Sequence, residues 1–151
     1  FEKVKSPVLA VQRVPRAEIS SYGVIRAEPA GERLFRVTDL VEKPRPEDAP
    51  SDLAIIGRYI LVPELFQHLA DTARDAQGEI QLTNGLRSLL ASQPIYGFEF
   101  EGRRHDCGNR LGFLKATVEY ALKRADLGES FADYLKTLVL DGRLGPARGT
   151  A

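Results

Sequence analysis

Residues 34–61 read LFRVTDLVEKPRPEDAPSDLAIIGRYIL. Leu34 to Lys43 is apolar and β-branched enough to be a strand. Pro44, Pro46 and Pro50 cannot donate to a sheet ladder, so 44–52 is expected as an exposed loop. Leu53 to Leu61 is the strongest strand signal in the chain, and Gly57 inside it predicts a bulge or a close backbone approach. Upstream, Tyr22 to Ala27 reads as a strand, and a turn at Pro29–Glu32 lets 34–43 return beside it as a hairpin partner. Pro7 to Val14 is a further strand, buried by its Val/Leu content, and Pro15–Glu18 opens a short helical turn. Downstream, a helix is expected from Pro63 to about Arg74, with Leu65, Phe66 and Leu69 on one face. Thr83 is expected to cap a second helix carrying Leu86, Leu89 and Leu90, whose spacing overrides the hairpin signal of Asn84-Gly85. A strand at Ile95–Phe100 puts Tyr96, Phe98 and Phe100 on one face. The longest helix, about 110–124, has Leu111, Leu114, Val118 and Leu122 as its apolar stripe, and a last helix covers Ser130 to Leu140. This alternation predicts an α/β domain over 1–140 with a mixed sheet, and a flexible tail over 141–151.

The composition excludes several classes. The chain has 151 residues, enough for one domain with a real core, and is 43% hydrophobic and 28% charged. Lys and Arg total 21 and so do Asp and Glu, so the net charge is zero. That balance argues against a nucleic-acid partner or a membrane surface. No run approaches the roughly 20 apolar residues that a membrane helix needs. One cysteine, Cys107, and two histidines cannot build an internal disulfide or a Cys/His zinc cluster. With no secretory leader at its start, the chain is expected in a reducing cytoplasm. It contains no methionine and opens on Phe1, which leads us to expect a piece of a longer protein or a processed chain.

Three short segments carry candidate chemistry. Glu42 and Lys43 are adjacent at a strand end. Neighbours on a regular strand face opposite ways, so both can serve one site only if the strand bends or stops there, as Pro44 makes it do. They are either two solvated charges, or a carboxylate that accepts sugar hydroxyls beside an ammonium that holds a phosphate. Asp106, ahead of Gly108 and Asn109, is either a polar helix start capped by Asp106 or Asn109, or a magnesium ligand, since Mg²⁺ is content with one or two carboxylates plus water and phosphate. Tyr22-Gly23 is a turn into a strand, or a place where a sugar lies against bare backbone. His68 and His105 read as structural or exposed, Cys107 as a small buried hydrophobe, and Arg143 and Arg148 as solvated charge. Neither G-x-G-x-x-G nor G-x-x-x-x-G-K-[ST] occurs, so the apparatus for a nucleotide triphosphate is expected elsewhere.

In combination these segments are more specific. PRAEISSYGV at 15–24, VEKP at 41–44, LAIIGRYIL at 53–61, GEIQLT at 78–83, DCGN at 106–109 and KATVEYAL at 115–122 together resemble the C-terminal half of the bacterial UTP–glucose-1-phosphate uridylyltransferases, also called UDP-glucose pyrophosphorylases, of the sugar nucleotidyltransferase superfamily. The resemblance covers nearly all of residues 5–137. Glu-Lys-Pro marks only the superfamily, whereas GEIQLT and DCGN mark the uridylyltransferase branch.

The resemblance implies a Rossmann-like α/β/α sandwich with a mixed sheet, of which this chain is the sugar-binding portion. It implies a magnesium-dependent reaction of UTP with glucose 1-phosphate that gives UDP-glucose and pyrophosphate. Carried onto this chain, Gly23 and Glu42 contact the glucose, Lys43 holds its phosphate and is the catalytic residue, and the backbone near Ala54 and Ile55 lines the pocket. Asp106 becomes the metal ligand by analogy with related nucleotidyltransferases. The glycine-rich loop, the uracil-reading residues and a first metal aspartate belong to an N-terminal half absent from this sequence, so the chain alone is expected to be inactive. Half a sheet is also expected to leave an open edge and an uncovered face, suited to the missing half or to a homo-oligomer. The alternative is a non-catalytic sugar-phosphate-binding or assembly module.

Overall fold

Alternating burial across VLAVQR makes Val8–Arg13 (β1) a strand whose Leu9 and Val11 are fully buried. A 3-10 turn at Arg16–Ser21 leads into Gly23–Gly31 (β2), which forms the expected hairpin with Leu34–Glu42 (β3). The hairpin is longer than the sequence suggested. β2 runs on through Pro29, opposite Phe35, to Gly31, so the turn shrinks to Glu32 and Arg33, with Arg33 in the left-handed region at φ 55°. Between β3 and Leu53–Ile60 (β4), the proline-rich segment is more than an exposed loop. It includes a 3-10 turn at Pro46–Asp48, and Pro44 and Ala49 are buried, with Ala49 in a small cluster formed with Ile19 and Val24. Gly57 fulfils its expectation. It sits at φ 75°, and β4 slips register against β1 there, from Leu9↔Tyr59 to Val11↔Ile55.

The computed structural model describes residues 1–143, so the expected tail lies outside the described residues from position 144 onward, Arg148 included. Tyr96–Glu99 (β5) pairs parallel to β1 and antiparallel to β3, and β2 bridges to β4 at Val24↔Ala54. The order β1-β4-β2-β3-β5 therefore closes on itself. The mixed sheet agrees with the expectation, whereas the expected open edge is not found. Closure leaves no free edge in this sheet, because β1 accepts β5 on one side and β4 on the other.

Two helices cover the sheet. Leu65–Ala70 (α1) is shorter than the expected 63–74, and Phe66 is 75% exposed rather than inward, while Leu65 is buried. A face defined by Leu65 and Leu69 excludes the residue next to Leu65. Leu82–Leu90 (α2) buries Leu86 and Leu89 against Leu9, Ile25, Leu40 and Ile55. Asn84 and Gly85 are helical, as the leucine spacing required, and a Cβ at Gly85 would run into the Leu69 side chain of α1.

The chain divides at Gly102 into two units. In the second, Arg110–Leu122 (α3) and Gly128–Leu140 (α4) pack on one another. The stripe expected on α3 is not buried. Leu111 and Leu114 are about three-fifths exposed, and Ala116 is the buried residue of this helix. Among the described residues no helix is long and apolar enough to cross a membrane.

Candidate functional site

β3 ends at Glu42, and the next residue turns out of the strand. Lys43 lies in the left-handed region at φ 45°, and its amide donates to the Tyr22 carbonyl at 3.0 Å. A side chain in that conformation leaves the strand's alternation. This meets the condition set by the sequence: Lys43 Nζ stands 3.8 Å from Glu42 Oε1, so both side chains serve one place. The ion pair is long, and the lysine side chain is 59% exposed. Such a pair contributes little stability and leaves the ammonium free to meet an anion.

Glu42 is held from a second direction. Thr83 Oγ1 donates to Glu42 Oε2 at 2.6 Å. This corrects the role expected of Thr83. Gln81, not Thr83, occupies the N-cap of α2, and Thr83 sits inside the helix with its hydroxyl turned to Glu42. Gly23 faces Glu42 across the β2–β3 ladder. A Cβ there would lie 2.9 Å from Thr83 Oγ1 and 3.1 Å from Glu42 Oε2, so a side chain has no room. Ala54 and Ile55 are buried in β4, and Ile55 Cδ1 would be the third neighbour of that Cβ. The structure thus gathers Gly23, Glu42, Lys43 and Ile55, and Ala54 pairs with Val24 next to Gly23. Tyr59, also on β4, has its phenol pushed above its ordinary value by burial and, second, by the Glu42 charge, so it stays protonated at neutral pH.

An open cavity of about 480 Å³ runs beside Glu42 and Lys43, bounded further by Asp75, Gln77, Glu79, Gln81, Asn84 and Arg87. Its far wall is a loop folded around Asp75. Asp75 Oδ1 accepts from the amides of Gln77 at 2.9 Å and Glu79 at 2.8 Å, and Oδ2 accepts from Gln81 Nε2 at 2.6 Å. The Gln81 hydrogen bond, followed by the Glu79 amide, holds this carboxyl below the ordinary carboxylate range. Arg87, one turn beyond Thr83, pairs with Asp39 at 2.8 Å. A larger hollow of about 760 Å³ between Phe1–Val4 and Gly31–Leu34 is walled mainly by apolar groups and holds none of the candidate residues.

Asp106 belongs to the second unit, where it orders a helix entry. Its Oδ1 accepts from the Gly108 amide at 3.0 Å and its Oδ2 from Asn109 Nδ2 at 3.1 Å, while Asn109 caps α3 by accepting from the Gly112 amide at 2.7 Å. Of the two capping candidates, Asn109 is the cap. Among the described residues no group of three or more His, Cys, Asp or Glu gathers around a metal-sized space. Asp106 alone still fits a hydrated Mg²⁺, which needs one or two carboxylates, because each of its oxygens keeps an unused lone pair. Cys107 is exposed, not the buried hydrophobe expected, since it lies on the turn ahead of α3. His105 is structural: its side chain is 10% exposed, with Nε2 3.6 Å from Glu119 Oε2 and its ring against Tyr120. His68 is tied to Ser88 at 2.8 Å.

Sequence reasoning singled out neither Tyr59 nor Asp75 and gave Thr83 only a capping role, whereas the structure places all three around Glu42 or the cavity beside it. A signal for Thr83 was present: it lies three positions before Leu86 and so on the same inward face of the helix.

A family model described as nucleotidyl transferase matches residues 2–123. The UTP–glucose-1-phosphate uridylyltransferase of Streptococcus pneumoniae serotype 4 is 45% identical over 136 residues, which is 89% of this chain and 46% of that protein. A solved UDP-glucose pyrophosphorylase complexed with UDP-glucose superposes with a TM-score of 0.77 at 42% identity, covering 82% of this chain and 47% of that one. A UTP-bound UGPase from Acinetobacter baumannii gives a TM-score of 0.78 at 30% identity over 93% of this chain and 47% of its own. These likenesses accord with a Rossmann-like nucleotidyltransferase fold. The chain spans about half the length of the curated relatives it matches.

Proposed function

The chain belongs to the nucleotidyl transferase family, and we propose that it carries the sugar-phosphate half of the active site of a UTP–glucose-1-phosphate uridylyltransferase. The observation behind this reading is the turn at Lys43, which brings an ammonium to 3.8 Å from a carboxylate on the open wall of a cavity. A carboxylate accepts hydroxyl hydrogens and an ammonium receives phosphate, and a sugar 1-phosphate offers both groups a short distance apart. Glu42 accepts from glucose hydroxyls, Gly23 keeps the backbone beside Glu42 clear, and the Ala54–Ile55 segment of β4 backs that glycine, behind the residues that line the cavity. Lys43 binds the phosphate of glucose 1-phosphate.

In the reaction, an oxygen of that phosphate attacks the α-phosphorus of UTP. A new P–O bond forms as the bond to the β-phosphate oxygen breaks, and pyrophosphate leaves with its electron pair. Two anions must meet, so the work of Lys43 is to neutralise charge and fix the line of attack. Nucleotidyltransferases of this kind generally use a divalent metal. We assign it as Mg²⁺, with Asp106 as a ligand; such an ion would supply neutralisation of phosphate charge. The nucleotide-binding half resides in the part of the relatives that this sequence does not span, and the working enzyme is a homo-oligomer. A cytoplasmic setting suits an exposed free thiol at Cys107.

Calorimetric titration of the chain with glucose 1-phosphate and with UDP-glucose tests the reading. Saturable binding that Lys43→Ala abolishes supports it. Binding without turnover once the complementary half is supplied favours the non-catalytic module instead. No binding of any sugar phosphate or UDP-sugar leaves only a structural domain.

A further inference from the structure

We propose that Thr83 is a positioning residue that locks the Glu42 carboxylate for its ligand. The inference rests on the reading of Glu42 as the sugar contact. Thr83 is 7% exposed, and its hydroxyl donates the 2.6 Å hydrogen bond to Glu42 Oε2 across 41 positions of sequence. No position within α2 needs that hydroxyl as a cap. The helix is anchored by Leu86 and Leu89, both 0% exposed, so Thr83 is carried on the same rigid element that fills the core. A buried hydroxyl that meets a carboxylate from a fixed helix defines where the carboxylate stands.

The lock also explains the glycine at 23. The nearest neighbours of a Cβ there would be Thr83 Oγ1 and Glu42 Oε2, the two atoms of this hydrogen bond. Gly23 therefore makes room for the hydrogen bond as well as for a ligand. With Oε2 committed to Thr83, Oε1 is the oxygen that meets Lys43, at 3.8 Å, and Glu42 as a residue lines the cavity. A glutamate free to rotate would lose side-chain entropy each time a sugar binds, whereas a held one has already lost it on folding. Thr83 acts through Glu42, so its effect falls on the sugar and not on the phosphate, which Lys43 holds.

The test compares the wild-type chain with Thr83→Val and Thr83→Ser. Affinities for glucose 1-phosphate and for inorganic phosphate are measured by NMR titration, and Glu42 side-chain rotamers by scalar couplings without ligand. In Thr83→Val, we expect glucose 1-phosphate to bind about tenfold more weakly, inorganic phosphate to bind unchanged, and Glu42 to average over rotamers. Thr83→Ser, which keeps the hydroxyl, restores both the affinity and the single rotamer. A single Glu42 rotamer in Thr83→Val overturns the inference and leaves the sugar reading standing. Equal weakening in both variants also overturns it, since packing rather than the hydroxyl would then matter. A wild-type chain that binds no glucose 1-phosphate overturns the sugar reading and this role with it.

Discussion

The end of β3 and the entry to α3 are both short polar segments beside glycine, yet they are built in opposite ways. At the first, Glu42 is fixed by Thr83, 41 positions away, and by the turn at Lys43, and its pocket needs a bare Cα at Gly23 on a neighbouring strand. At the second, Asp106 and Asn109 find their partners within three positions, in Gly108 and Gly112. The first arrangement exists only if the sheet and α2 are in place. The second is a local motif that a helix start satisfies by itself. A site assembled from distant parts holds its groups against a stable core, which is what binding a charged ligand in one orientation requires.

The sharpest way to break the contrast is to remove the ammonium. Lys43→Ala, in the enzyme completed with its complementary half, is expected to lose about 2.7–4 kcal/mol of transition-state stabilisation, as for other lost electrostatic donors. Steady-state kcat/KM reads this directly, and near-normal turnover refutes the assignment. Next comes Gly23→Ala, whose methyl collides with the Thr83–Glu42 hydrogen bond. We expect a stability loss of about 1–3 kcal/mol, seen as a lower denaturant midpoint, together with weaker sugar binding. An unchanged midpoint would mean that the site yields easily and is not locked.

On the local side, Asn109→Ala removes a cap and is expected to cost about 1 kcal/mol of stability in the second unit. Amide exchange should rise in the first turn of α3 and stay unchanged at Gly23 and Glu42. Protection lost at both places would erase the distinction drawn between them. The smallest effect concerns the Asp75 loop. The Asp75 carboxyl lies below its ordinary value when folded, so it adds stability above the unfolded value, which is lost as the pH falls through the folded one. Protection of the Gln77 and Glu79 amides, measured against their intrinsic exchange rates at each pH, should therefore fall only in acid, below the ordinary aspartate range. Protection already absent at neutral pH would show that the carboxylate does not organise this loop.

Local signals in the sequence were sufficient where the physics is local. The hairpin of β2 and β3, the stop at Pro44, the bulge at Gly57 and the helical reading of Asn84-Gly85 all follow from propensity and period. Thr83 shows where such reading ends. A threonine near a helix start is a reasonable cap by its neighbours, and only the packing of Leu86 on the sheet turns its hydroxyl to Glu42 instead. Leu111 and Leu114 fail for a related reason: helical spacing makes a stripe but does not supply the surface that covers it. Closure of the sheet was equally hidden, because it depends on β5 reaching β1 and β3 together. Of the candidate site, Gly23, Glu42 and Lys43 were legible as a motif, while the hydrogen bond that fixes the glutamate was not.

The most direct test of the central claim is a chemical-shift map of the isotopically labelled chain titrated with glucose 1-phosphate. The account predicts saturable shifts centred on Gly23, Glu42, Lys43, Ala54 and Ile55, with Thr83 following Glu42. Saturable shifts confined to other residues, or none at millimolar ligand, would contradict it.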